Sequence, residues 1–313
     1  TDSTFTDNSA SNAGGAIDNR SGTITISNST LTGNLADVGG AIYNSVGTVS
    51  SQDTHYENNT CFGKITDNGG NTTTNARHCP VTEPVNDDNT GDIIISTCDF
   101  VTLQSAVSVA NSGGGVISIT CTGTIIFEDK LTIAADMTIT NDSGGEVIFD
   151  ETGDDNGFFH VNTVPSFTLN GFTLQNGNAE DGGAIYNNGT LTISNSTFIG
   201  NSADDIGGAI WSNGTLTISD STFTDNSASR NGGAIFNGGT LTISDSTFMD
   251  NSASRNGGAI YNIRATLTII NSTFTDNLAT GDGGAINNFD GTASSQDTQY
   301  ENNTCAGDIT DNG

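Results

Sequence analysis

The sequence predicts an all-β fold: a right-handed parallel β-helix, a three-sheet solenoid of about 25 residues per coil opened by a short capping helix. Three observations carry this. The tetrapeptide Gly-Gly-Ala-Ile begins at Gly14, Gly39, Gly182, Gly207, Gly232, Gly257 and Gly283, spaced by 25 in the first pair and by 25, 25, 25 and 26 in the later run. Each unit, as in GGAIYNNGTLTISNSTFIGNSADDI from Gly182, holds three short β-type segments split by Asn-Gly and Asn-Ser turn signals. No unit carries a helical pattern of about ten residues, which excludes leucine-rich and ankyrin repeats, and three strands are too few for a propeller blade. A coil that turns three corners and stacks on the next at ~4.8 Å remains.

Alternation assigns the strand faces. In TLTIS, Leu191 and Ile193 point in, and the same frame turns Leu216/Ile218, Leu241/Ile243 and Leu267/Ile269 inward. Phe198, Phe223, Phe248 and Phe274 form an inward rank in the next strand. Three residues after each stands an asparagine: Asn201, Asn226, Asn251 and Asn277. Stacked in a corner, such amides can satisfy turn backbone groups that would otherwise be buried unpaired. The paired glycines before Ala-Ile allow a corner too tight for a Cβ.

The position after Gly-Gly-Ala-Ile holds Asp18, Tyr43, Tyr186, Trp211, Phe236, Tyr261 and Asn287. A site that takes both Asp and Trp belongs outside, so Tyr186, Trp211, Phe236 and Tyr261 are expected to form an exposed aromatic stripe and a candidate interface. The outward Thr-x-Thr pairs, such as Thr190/Thr192 and Thr215/Thr217, form a second regular face; threonine favours exposed strands, and a flat grid of this kind also suits ice binding.

The pairing of Gly-Gly-Ala-Ile with Phe-x-x-Asn resembles the repeats of chlamydial polymorphic outer-membrane proteins and related bacterial β-helix surface proteins, over residues 1–60 and 165–305. The resemblance implies a secreted, surface-displayed β-helix in adhesion or surface architecture, and no catalytic site. Leu103, Ala106, Val107 and Ala110 form one helical face near 102–111, with Thr102 as candidate N-cap and Gly113 to Gly115 as the stop. The segment is similar to the CSLREAI-type helix that opens many bacterial β-helix domains, and its role would be to cover the apolar end of the first coil.

A longer period runs above the coils. SSQDTHYENNTC ends at Cys61 and SSQDTQYENNTC at Cys305, 244 residues later. Residues 1–80 are read as the last coils and tail of one unit, 81–94 as a linker, and 95–313 as the next unit. The chain starts at Thr1, so an upstream segment is expected to have been removed, a secretory signal among the candidates. Of five cysteines none lies in a Cys-x-x-Cys pair, so a disulfide framework is preferred to zinc: Cys61 with Cys79 and Cys98 with Cys121, with the partner of Cys305 placed beyond the chain.

Composition narrows function. Seven Lys+Arg against 36 Asp+Glu give a net charge of −29, which excludes nucleic acid and disfavours anionic membranes and polyanionic substrates. No apolar run of about 20 residues crosses a membrane. The scarcity of Lys, Arg and His, and the recurrence of Asp225, Asp250 and Asp276 in register, argue for a non-enzyme, since an active site breaks a repeat. No cofactor is expected; the acidic run from Asp150 to Gly157 is a candidate for calcium but reads better as a solvated loop. Recurrent Asn-x-Ser/Thr sequons, such as Asn195 and Asn213, would make the chain a glycoprotein if secreted and modified. The expected function is an extracellular structural repeat protein: a filament, stalk or adhesin rod built by self-association or tandem copies. A carbohydrate- or ice-binding module is the alternative, and a polysaccharide lyase or hydrolase the third reading.

Overall fold

The computed structural model describes residues 1–13, 15–19, 23–38, 41–52, 54–57, 62–67, 72–74, 81–82, 92–151 and 157–305. The chain divides into two compact units, Thr1–Asp92 and Ile93–Gly313. Both are parallel β-solenoids, and among the described residues the strand pairs between coils are parallel. Of the linker expected at 81–94, residues 83–91 lie outside the described residues, as does the tail after Cys305; at its two ends Val81–Thr82 pairs with the first unit's Ile65 and Thr66, and Ile93–Ile95 is already a strand of the second unit.

In the second unit, sheets of nine, eight and seven strands run along the stack, and a narrower sheet of six strands of two to five residues joins them. TLTIS segments build the first sheet in unshifted register: Leu191 pairs with Leu216, Leu216 with Leu241 and Leu241 with Leu267. These leucines and the isoleucines two residues on are fully buried, as the alternation of side chains across a pleated strand requires. Phe198, Phe223, Phe248 and Phe274 stack behind them, with ring centroids 4.6, 4.8 and 4.8 Å apart and planes within 5°. The spacing matches that of the strands, so ring contact and strand pairing reinforce each other.

The corners explain the glycines. Gly207, Gly232 and Gly257 sit at φ +71°, +70° and +69°, the left-handed region. The glycine after each is closed by the next coil: a Cβ on Gly208 would collide with the carbonyl oxygen of Gly233, and one on Gly233 with that of Gly258. Where Asp225, Asp250 and Asp276 recur, the backbone is also left-handed, at φ 54–55°, a conformation that Asp and Asn tolerate best among residues with a Cβ.

The helix spans Phe100–Ala110 and buries Phe100, Leu103, Ala106, Val107 and Ala110. Its N-cap is Asp99, not Thr102. The Asp99 carboxylate accepts from the Thr102 backbone N–H at 2.8 Å and from its hydroxyl at 2.7 Å, so Thr102 lies inside the first turn. Phe100 meets Phe127 with centroids 5.1 Å apart. At the far end Asn111 donates to the Thr132 carbonyl and accepts from the Ala134 N–H, which ties the helix to the edge of the third sheet. At the other end of the described coils the apolar rank stops: Leu267 and Ile269 pair with Ala293 and Ser295, and Phe274 with Tyr300.

The first unit repeats the scheme on a smaller scale. Thr30–Thr32 pairs with Thr4–Thr6 on one side and His55–Glu57 on the other, around a core that includes Ile26, Leu31, Ala41 and Ile42.

Candidate functional site

Buried polar ladders hold the coils in register. The side chain of Asn201 donates to Asn226 Oδ1 at 2.9 Å, Asn226 to Asn251 at 2.9 Å, and Asn251 to Asn277 at 2.9 Å. Each amide also donates back to a carbonyl of the preceding coil, as Asn226 does to Phe198 at 3.0 Å. Two further ladders were not singled out from the sequence. Ser221, Ser246 and Ser272 hydroxyls accept from the backbone N–H one coil earlier, at 3.2 Å each. Asn187, Ser212, Asn237, Asn262 and Asn288 line the third sheet, with Asn237 donating to Asn262 and Asn262 to Asn288 at 2.6 Å. Their 25-residue recurrence was visible; what hid them was that Ser and Asn also suit exposed turns.

The aromatic stripe lies on the outer face of the third sheet. Tyr186 pairs with Trp211, Trp211 with Phe236, and Phe236 with Tyr261 in one register. Tyr186 and Trp211 stack at 4.1 Å and 11°, Trp211 and Phe236 are parallel but offset at 6.4 Å, and Phe236 and Tyr261 are tilted at 5.6 Å. Three of the four rings are half-buried, so the stripe shows edges more than faces. Tyr261 departs from the expectation of exposure: it is 8% exposed. Burial raises its pKa above that of a free phenol, while the nearby positive charges of Arg255, Arg230 and Arg264 act the other way.

Beside the stripe runs a charged column. The Arg230 N–H donates to the Asp205 carbonyl, that of Arg255 to the Arg230 carbonyl, and that of Gly281 to the Arg255 carbonyl, so these residues occupy successive coils. In the coil before, Ala179 pairs with Ala203 and Asp181 with Ile206, so Glu180 stands opposite the irregularity that Asp204 and Asp205 form. The column therefore reads acid, acid, base, base. Within it Arg230 Nη1 lies 2.7 Å from Asp205 Oδ2.

At the acidic end a cleft of about 430 Å³ opens between coils, lined by Lys130, His160, Glu180, Asp181 and Tyr186 among others. His160 holds the ladder position before Tyr186, with ring centroids 4.9 Å apart. Burial, and then the Lys130 charge, lower the His160 pKa. Burial first, then Asp205 and Glu180, raise that of Asp181, against a lowering hydrogen bond from the Ile206 backbone and the charge of Arg230. Asp181 Oδ1 is buried without a hydrogen-bond partner. Sequence reasoning missed this cleft, because the coil carrying His160 lacks the Gly-Gly-Ala-Ile signature.

Cys98 and Cys121 form a disulfide, with Cα atoms 5.7 Å apart, joining the strand edge before the helix to the coil after it. Cys305 is half-buried. Cys61 and Cys79, and with them the pairing expected for the first unit, lie outside the described residues, as does most of the acidic run from Asp150 to Gly157. Among the described residues no group of three His, Cys, Asp or Glu converges on a point that could hold a metal ion, and no helix is long and apolar enough to cross a membrane.

No curated protein and no solved structure matches the chain. A family model does: residues 2–20, 195–213, 220–238, 245–263 and 271–288 match the Chlamydia polymorphic membrane protein (Chlamydia_PMP) repeat. The matched segments each carry the Gly-Gly-Ala-Ile corner with the residues before it, so the corner glycines and the asparagine ladder are read by sequence and by geometry alike. The chain is a parallel β-solenoid repeat protein, five of whose segments carry the sequence pattern of the Chlamydia polymorphic membrane protein repeat.

Proposed function

We propose that the chain is a non-catalytic, cell-surface rod that associates with further copies of itself along the aromatic stripe. The observation that carries this is the charged column beside the stripe: Asp205, Arg230 and Arg255 in successive coils, preceded by Glu180 opposite Asp204 and Asp205, so that it reads acid, acid, base, base. That order is its own complement when reversed. A second copy laid antiparallel would set its basic end on the acidic end of the first, with the rings of Tyr186, Trp211 and Phe236 between them. Opposed charges fix register and orientation more than they add affinity, and aromatic edges supply the apolar contact. Local complementarity matters in a chain of net charge −29, because like-charged rods otherwise repel. The membrane-protein repeat matched by five segments supports display at a surface. Sedimentation and electron microscopy of the purified chain test the reading. Paired or bundled rods that fall apart in Trp211→Ser, with an unchanged β-sheet circular dichroism spectrum, are the expected result. A wild-type chain that stays monomeric at all concentrations rules it out.

A further inference from the structure

We infer that the cleft between Lys130, His160, Glu180, Asp181 and Tyr186 binds a single neutral sugar residue, such as the end of a glycan chain. This deepens the reading of the chain as a surface rod and rests on it for the setting in which a glycan would be met.

The cleft lies where the Gly-Gly-Ala-Ile coils of the second unit begin, with Lys130 and His160 from the coils before them and Glu180 to Tyr186 from the first of them. Between residues 93 and 313 there is one lysine and one histidine, Lys130 and His160, and both line this cleft. The His160 ring continues the aromatic ladder onto Tyr186, but stacking does not require its two nitrogens, nor the Lys130 ammonium. The ladder position of His160 is aromatic in the next four coils, and Lys130 is exposed.

The chemistry of the lining selects the ligand. Asp181 Oδ1 is a buried acceptor with no donor, a state that costs free energy until a donor arrives. Glu180 adds a second carboxylate, and Lys130 supplies an ammonium donor. His160, its pKa lowered, brings at neutral pH one donor and one acceptor nitrogen, and Tyr186 a hydroxyl. A ligand that matches this set must both donate and accept at several points. Hydroxyl groups do both. Phe159 and Ala184 close the floor of the cleft from within the core, at 2% and 0% exposure, so the accessible lining is polar. The volume of about 430 Å³ is within the range of small-molecule sites.

Other ligand classes fit less well. A metal ion would lie beside the Lys130 ammonium, and among the described residues no three ligating side chains converge. A polyanion would meet Glu180 and Asp181 and a chain of charge −29. The stripe itself is a poor sugar platform, because the facing rings of Tyr186 and Trp211 cover each other at 4.1 Å.

Saturation-transfer NMR on the whole chain, with the methyl glycosides of glucose, galactose and mannose as probes, tests the assignment. At least one glycoside should receive saturation and bind with a dissociation constant on the order of millimolar. Asp181→Ala should weaken it about tenfold or more, and Lys130→Ala, at an exposed position that folding does not need, should weaken it several-fold. Arg255→Glu, at the far end of the charged column, should leave glycoside binding unchanged while it disturbs association. Absence of transfer to all three glycosides overturns the proposal. So does equal transfer to the wild type and to both cleft variants. Binding lost with association intact sinks only the sugar site, and association lost with binding intact sinks only the self-pairing reading.

Discussion

The Oδ1 of Asn251 accepts two hydrogen bonds from Asn226, one from the side-chain amide at 2.9 Å and one from the backbone N–H at 3.1 Å. Asn226 in turn serves Asn201 in the same way, at 2.9 and 3.0 Å. Every member is therefore acceptor for one neighbour and donor to the next, and all four from Asn201 to Asn277 are fully buried. Replacing one member by Ala strips three groups at once: the Asn201 N–H, the Asn201 amide and the Phe198 carbonyl. With a buried unsatisfied group costing about 1–3 kcal/mol, Asn226→Ala should destabilise the chain by about 3 kcal/mol or more in denaturant melts. A cost under about 1 kcal/mol would mean that water takes over the ladder's bonds.

The phenylalanine rank gives a second stability test with an internal control. Phe223 is fully buried and stacked on both sides, so Phe223→Ala should cost roughly 3–5 kcal/mol. Thr217, on the outer face of the same coil, should cost well under 1 kcal/mol when changed to Ala. Equal costs would mean that the faces of the strand are wrongly assigned.

What was legible in the sequence follows from which forces recur. Leu191/Ile193 and their copies alternate strictly, and the ranks Phe198 to Phe274 and Asn201 to Asn277 repeat at the coil period, so core and ladder could be placed without coordinates. The fourth sheet could not. Its strands are pairs such as Ser227–Ala228 and Ser252–Ala253, too short and too small to show an alternation. The helix cap lies three residues before the one expected, because Asp99 and Thr102 both suit a cap, and only geometry tells cap from first turn. Tyr261 shares the register of three half-buried rings yet is itself buried, so strand alternation alone does not set exposure along this ladder. The cleft escaped for the opposite reason to the ladders: His160 and Lys130 occur once, and a single occurrence has no period to reveal it.

The disulfide should matter most at the helical end. Cys98–Cys121 spans 23 residues that include the whole helix. Closing a loop of that size is worth about 2–4 kcal/mol through the unfolded chain. Cys98→Ala should lower stability by about that amount. Amide exchange should rise in Phe100–Ala110 and the first coils before it rises around Phe223, because the central coils keep both neighbours. Uniform acceleration along the unit would show that the solenoid opens as one block.

Charge exchange tests the column separately from the rings. Arg255→Glu places an acid at the basic end and should abolish antiparallel pairing. Adding Glu180→Lys restores the acid–base match in the reversed order and should recover pairing in sedimentation velocity. Both positions are exposed, so neither change should shift the melting midpoint much. Failure of the double variant to recover would mean that the charges do not face one another across the contact.

Asp181 makes stability depend on pH with a definite sign. Its pKa is raised in the folded chain, chiefly by burial and then by the charges of Asp205 and Glu180. Between the ordinary carboxylate value and the raised one, the folded chain holds a proton that the unfolded chain has released. Stability therefore falls as pH climbs through that window and stays lower above it. The penalty is that of a desolvated carboxylate beside like charges, with one buried oxygen left unpaired. Asp181→Asn removes the titration while keeping the shape and adds a donor. The variant should melt above the wild type at pH 7, and the gap should close as pH is lowered toward the ordinary carboxylate range. His160 titrates with the opposite sign: its lowered pKa makes acid destabilising below the usual imidazole range, so the comparison is best made in a His160→Gln background. An Asp181→Asn gap that stays constant from pH 7 downward would mean that Asp181 is solvated like any surface carboxylate and that its environment does not hold the proton.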